Sequence, residues 1–288
     1  MSAKFGPAGN SDAFSAVHKS SLAAPQWIAE QGLDCYEYQC GKGVHVGEDT
    51  ARRVGENARK HGISLSLHAP YFINLANPDP DSLQKTIGYI TSACLVASQM
   101  GASRVVIHSG ALMKRTRREA LDTALRSLRE VIRTCDGQGF GHIALCPETM
   151  GKINQLGDLE EVLELCTLDE RLIPCIDFGH LYARSLGADD GVEAFGRMLD
   201  RVESVLGQSR ASVFHSHFSH IQFTPGGGEK CHRTFDDDDG YGPDWAPLAR
   251  AIARRGWSPT FICESAGTQA KDALTMKRIY QEVLTAQG

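Results

Sequence analysis

At 288 residues the chain is long enough for one large α/β barrel, a fold that routinely runs past 200 residues around a single core. Its 42% hydrophobic and 23% charged residues are those of an ordinary globular protein and exclude a disordered or low-complexity chain. A formal net charge of -5 excludes a global basic field, so any contact with nucleic acid has to come from a local groove.

Short apolar, β-branched segments alternate with longer amphipathic ones, the pattern of repeated βα units on a parallel sheet. Strands are predicted near residues 3–6, 33–39, 63–68, 103–108, 142–148, 172–177, 211–217 and 259–264. Helical periodicity fills the gaps at Ala51–His61, Asp81–Met100, Arg115–Cys135, Asp158–Cys166, Gly191–Leu206, Trp245–Arg254 and Ala270–Leu284. Several of these start at a capping residue, as at Asp81-Ser82 and Asp158. Eight strands with helices between them, no internal repeat and no linker make the expectation a single-domain α/β protein, a (β/α)8 TIM barrel. The stretch 224–244 reads as one long irregular loop, with Gly226-Gly227-Gly228 and then Asp236-Asp237-Asp238-Asp239, an acidic run expected to be solvated surface. Nine scattered cysteines without a Cys-x-x-Cys pair, and no leader ahead of them, are expected to be reduced thiols of a cytoplasmic protein. No apolar run approaches the roughly 18 residues of a membrane span, so no membrane association is expected, and no protein partner is indicated.

The informative feature is how the predicted strands end. His68, His108, Glu148, Asp177, His217 and Glu264 close the third to eighth strands in turn. In a barrel the carboxyl ends of the strands converge on one pocket, which would gather three imidazoles and three carboxylates. One such residue alone is more often a hydrogen-bonded structural group. Six buried together, without a cation, would suffer desolvation and like-charge repulsion, so the set reads as a metal site suited to Zn, Mn or Fe. His180, three residues past Asp177, and His232 in the glycine-rich loop are expected to join as ligands. His215 lies one layer deeper than His217 and is expected to be a supporting or core residue, while His45, His61 and His220 read as surface or structural.

Three motifs carry a family resemblance: His68-Ala69-Pro70-Tyr71-Phe72-Ile73-Asn74-Leu75, Cys175-Ile176-Asp177-Phe178-Gly179-His180, and Glu148-Thr149-Met150-Gly151-Lys152 with Gln155-Leu156-Gly157. In order and spacing the chain resembles, over about residues 60–270, the endonuclease IV family of zinc-dependent apurinic/apyrimidinic DNA repair enzymes. That resemblance implies two or three zinc ions: one on His68, His108 and Glu148, a second on Glu148, Asp177, His217 and Glu264, and a third on His180 and His232. It implies DNA with an abasic site as partner, cut on the 5′ side of the lesion, with Glu148 as catalytic residue and Tyr71, Asn74 and Lys230 on the substrate. The chain departs from the family where Lys230 replaces the aspartate of the third site, leaving Glu229 to substitute or Lys230 to contact phosphate. It also departs at Gln39-Cys40-Gly41-Lys42-Gly43-Val44, which lacks the family's arginine and aromatic pair for probing the DNA stack although Tyr71 retains the aromatic of the other probing loop, and at His108-Ser109-Gly110.

The rival reading is a metal-dependent sugar isomerase or epimerase of the xylose-isomerase-like type, for which Glu148, Asp177, His217 and Glu264 around one ion would suffice. The additional set His68, His108, His180 and His232 favours the multi-ion phosphodiesterase.

Overall fold

The computed structural model describes residues 2–287. Strands β1 (Lys4–Pro7), β2 (Cys35–Gln39), β3 (Ser64–His68), β4 (Arg104–His108), β5 (Ala144–Glu148), β6 (Cys175–Asp177) and β7 (His215–Phe218) are followed by a separate hairpin, β8 (His220–Thr224) and β9 (Gly228–Arg233), and then by β10 (Thr260–Cys263). The helices are α1 (Asp12–Val17), α2 (Ala24–Glu30), α3 (Glu48–His61), α4 (Pro80–Met100), α5 (Arg117–Gly137), α6 (Leu159–Cys166), α7 (Phe178–Arg184), α8 (Gly191–Leu206), α9 (Gln208–Ala211), α10 (Trp245–Arg255) and α11 (Gln269–Gln287).

Eight strands form one sheet in the order β2-β3-β4-β5-β6-β7-β10-β1, every paired neighbour parallel. The seam between β1 and β2 is drawn together by Asp34 N–H donating to Phe5 O (2.8 Å), Gly9 N–H donating to Glu37 O (2.9 Å) and a parallel bridge from Ala8 to Glu37. Gly6 makes that approach possible, since a Cβ there would stand 1.8 Å from Cys35 O. The result is the barrel expected from the strand count.

Local chemistry sets the helix bounds. Thr116 with Glu119, and Asp158 with Glu161, form capping boxes that start α5 and α6, and Asp79 caps α4 ahead of Pro80. Gly62 and Gly101 end α3 and α4 in the left-handed region, at φ 70° and 72°. Helix faces and outward strand residues, among them Ile90, Leu128, Leu163, Phe195 and Leu248, make one continuous core around the sheet.

Two expectations need revision. Residues 224–244 are not a single irregular loop, because Gly228–Arg233 pairs antiparallel with His220–Thr224 across the glycine turn. The acidic run lies past the hairpin, where Asp237 and Asp239 pair with Arg233 and Asp236 pairs with Lys271, so two cations meet part of its charge at the surface. The seventh strand starts at His215 instead of 211, because α9 occupies Gln208–Ala211. Helices α1, α2, α7 and α9 were not foreseen; each has four to seven residues, too few for a periodic signal.

Candidate metal centre

Parallel register aligns the strand-end residues in level pairs, with steps of two residues elsewhere that keep them on one face of the sheet. His108 is opposite Glu148 across β4 and β5, and Asp177 is opposite His217 across β6 and β7, while Glu264 follows the last residue of β10. His68, His108, Glu148 and Glu264 line a cavity of about 360 Å3 at the carboxyl end of the barrel, while Asp177 and His217 are fully buried beside Glu148 and Glu264.

Glu148 is the centre of the group. Its Oε2 lies 3.3 Å from Nε2 of both His68 and His108, and its Oε1 lies 3.0 Å from His217 Nδ1. Burial would raise the Glu148 carboxyl, but His217, His108 and His68 outweigh it and hold it well below the usual carboxylate range. Glu148, Asp177, His217 and Glu264 offer ligand atoms all within 4.8 Å of one another, as do His68, Glu148 and His217.

The imidazoles are held by acceptors outside the cavity. His68 Nδ1 donates to Ala69 O (2.7 Å), His108 Nδ1 to Tyr71 O (3.0 Å) and His180 Nδ1 to Thr149 O (2.8 Å), while His217 Nε2 faces Glu37 Oε1 at 2.9 Å. His232 Nδ1 rests on Ser219 Oγ at 2.8 Å. A carbonyl only accepts, so the nitrogen bonded to it carries the proton and the other is turned into the cavity. This is how ligating histidines are oriented in metal sites. Burial disfavours a charge on His68 and His180, yet Glu148 beside the first, and Asp177 with Glu229 beside the second, raise both to about 9.

Asp177 has two tasks. Its Oδ1 accepts from His180 N (2.7 Å) and so caps α7, whereas Oδ2 is buried and receives no hydrogen bond. Burial, with Glu264 and Glu148 nearby, raises this carboxyl. An orphaned carboxylate oxygen among further acids and inward-facing imidazoles is the donor set of a divalent cation, so these residues fit a metal.

Glu229 sits 3.6 Å from His180 Nε2 and forms a second cluster with His180 and His232. The sequence left this position open between Glu229 and Lys230. On β9, Cys231 pairs with Gln222 and Glu229 pairs with Phe223, so Lys230 is the extra residue of a β-bulge. The bulge turns Lys230 to solvent and brings Glu229 onto the face that carries His232. Gly151 makes the room, since a Cβ there would lie 2.6 Å from Glu229 Cβ and 3.0 Å from His180 Cδ2.

Other expected substrate contacts divide. Tyr71 is 54% exposed at the rim and lines the cavity. Lys230 does not line it; the cation that does is Lys152. Asn74 Oδ1 accepts from Ala76 N and Ala111 N, both at 3.1 Å, so its carboxamide ties the loops after β3 and β4 together and does not line the cavity.

Sequence reasoning missed Glu37. It is fully buried on β2 and holds His217 with one oxygen and His215 Nε2 with the other, both at 2.9 Å, with Ser66 Oγ donating as well. Burial opposes its ionisation, but His217 and His215 keep it well below the usual range. His215 is fully buried and contacts Glu37 instead of the carboxyl-end cavity; its burial pushes it down to about 4. Cys175 also neighbours His215 and His217, but burial raises its thiol well above the usual value, so it is a protonated packing residue.

Residues 25–282 match the xylose isomerase-like TIM barrel family, and the chain belongs to it. It is 30% identical over 256 residues, 89% of this chain and 90% of the other, to the uncharacterized protein MJ0133 of Methanocaldococcus jannaschii. It is also 27% identical over 165 residues to a probable endonuclease 4 of Acholeplasma laidlawii, spanning 54% of each chain, about half the length of that relative. A D-tagatose 3-epimerase-like protein superposes with a TM-score of 0.72 at 17% identity, covering 99% of both chains. Endonuclease IV from Thermus thermophilus superposes with a TM-score of 0.65 at 17% identity, covering 98% of this chain and 99% of that one. At such identities the superpositions speak for the fold alone. No helix among the described residues is long and apolar enough to cross a membrane.

Proposed function

We propose that this protein is a zinc-dependent phosphodiesterase, a divergent relative of endonuclease 4 that incises DNA on the 5′ side of abasic sites. The observation that carries the reading is the pair of adjoining clusters, Glu148 with His68, His108 and His217, and Glu229 with His180 and His232. Divalent ions held there would polarise a phosphoryl oxygen and make water more acidic. Around them the chain contributes Glu148 to orient the attacking water, Lys152 to meet the phosphate, and Tyr71 at the rim to pack on the nucleotide beside the lesion. Extruding an abasic nucleotide into the cavity is cheap, because no base pair has to be broken. The sequence likeness to endonuclease 4 supports the same chemistry.

The second reading, a sugar epimerase, draws on Glu148, Asp177, His217 and Glu264 alone and on the epimerase-like fold neighbour. It gives no task to the cluster of His180, Glu229 and His232.

Elemental analysis is expected to find one metal equivalent fewer in Glu229→Ala than in wild type, with no change in Lys230→Ala; equal loss in both, or in neither, contradicts the assignment of Glu229. A second expectation concerns pH. A ligating imidazole must be neutral, and without metal His68 and His180 keep their protons up to about 9. Metal uptake at pH 7 therefore releases protons, and affinity rises with pH until about 9. Calorimetry in buffers of different ionisation heat reads this directly, and a heat independent of buffer goes against it.

A further inference from the structure

The opposite end of the barrel has a site of its own. Where the strands begin, a cavity of about 110 Å3 is lined by Lys4, Ser64, Ser66, Arg104, His215 and Thr260 among others, and no carboxylate lines it. At roughly 30 Å3 per water molecule it has room for about three or four waters, or for one small ion.

Its charges are unbalanced. Arg104 Nη2 donates to Val213 O (2.7 Å) and Nη1 faces His215 Nδ1 at 3.5 Å, which leaves most of its five N–H groups without a protein acceptor. Lys4 Nζ donates to Ser64 Oγ at 2.6 Å, and among the described residues neither cation has a carboxylate within ion-pair distance. The acids nearest this end are already committed. Asp34 is bound by Lys277 Nζ (2.7 Å) and by Phe5 N (3.1 Å), and both oxygens of Glu37 are taken by His215, His217 and Ser66.

We infer that this mouth binds a small tetrahedral oxyanion of the phosphate or sulfate class. A guanidinium presents forked donors matched to such an anion, an ammonium adds a second charge, and the hydroxyls of Ser64 and Thr260 supply neutral donors. The inference is independent of the chemistry assigned to the carboxyl end.

The test uses sodium selenate, a tetrahedral oxyanion whose selenium is located by anomalous diffraction. Calorimetry of the metal-loaded protein against sodium chloride at equal ionic strength is expected to read, apart from any binding at the carboxyl-end centre, a site that Lys152→Gln at that other mouth leaves intact. Arg104→Gln is expected to weaken binding roughly ten- to a hundredfold, the loss of a charge-assisted hydrogen bond. Lys4→Gln, at an exposed strand start, is expected to weaken it less and keeps the test open if the arginine variant fails to fold. A selenium peak between Lys4 and Arg104 completes the expected result. The inference is overturned by no binding in solution, by binding insensitive to both substitutions, or by a peak only beside Lys152. A peak at Arg104 without solution binding marks an adventitious ion only and overturns it equally.

Discussion

Glu148→Gln is expected to lower phosphodiester hydrolysis by at least about a thousandfold, a barrier increase of about 4 kcal/mol. The amide keeps the shape of the side chain but not its charge, and that charge faces His68 and His108 through one oxygen and His217 through the other. Metal content is expected to fall with the rate. Because the Glu148 side chain is 1% exposed, water cannot replace the lost oxygen as it would on a surface. Single-turnover cleavage with circular dichroism as a control on folding measures the effect. Activity within about tenfold of wild type would remove Glu148 from the chemistry.

Glu37→Leu is expected to be the most damaging change outside the cavity. Glu37 lies between His215 and His217 with both oxygens engaged, and neither histidine has any exposed surface. Removing one partner of a buried charged network typically costs about 3–5 kcal/mol. It would also free the His217 ring that Glu37 orients, and loss of such a support typically weakens metal binding about 10- to 100-fold. Glu37→Gln, which keeps one acceptor oxygen, is expected to fall between wild type and leucine. Urea denaturation and metal competition give the two numbers, and a leucine variant as stable and as well loaded as wild type would show that the network has no such role.

The barrel and most of its centre were legible because the residues that matter end apolar runs. Leu65-Ser66-Leu67-His68 and Val105-Val106-Ile107-His108 announce both a strand and the polar residue at its end, and a register step of two residues keeps both histidines on one face. Glu37 was harder to see. It stands in the middle of Cys35-Tyr36-Glu37-Tyr38-Gln39, where a carboxylate reads as ordinary alternation on a half-exposed strand. Once the strand is placed in a barrel with both faces covered, a mid-strand glutamate becomes a signal, because it must find partners. Glu229 was obscured for another reason. The choice between it and Lys230 depends on a bulge, one extra residue that turns every side chain on one side of it to the other face. Asn74 shows the converse case, since a residue of a recognisable motif spends its side chain on the backbone of its own loop and of the loop after β4.

The most direct test of the proposed chemistry is incubation of the zinc-loaded protein with a duplex carrying one synthetic abasic site, beside a chelated control and beside ketose substrates. The expected result is a single nick on the 5′ side of the lesion that requires the metal, with the sugars unchanged. An intact duplex with epimerised ketose would contradict it and assign Glu148, Asp177, His217 and Glu264 to proton transfer on a sugar.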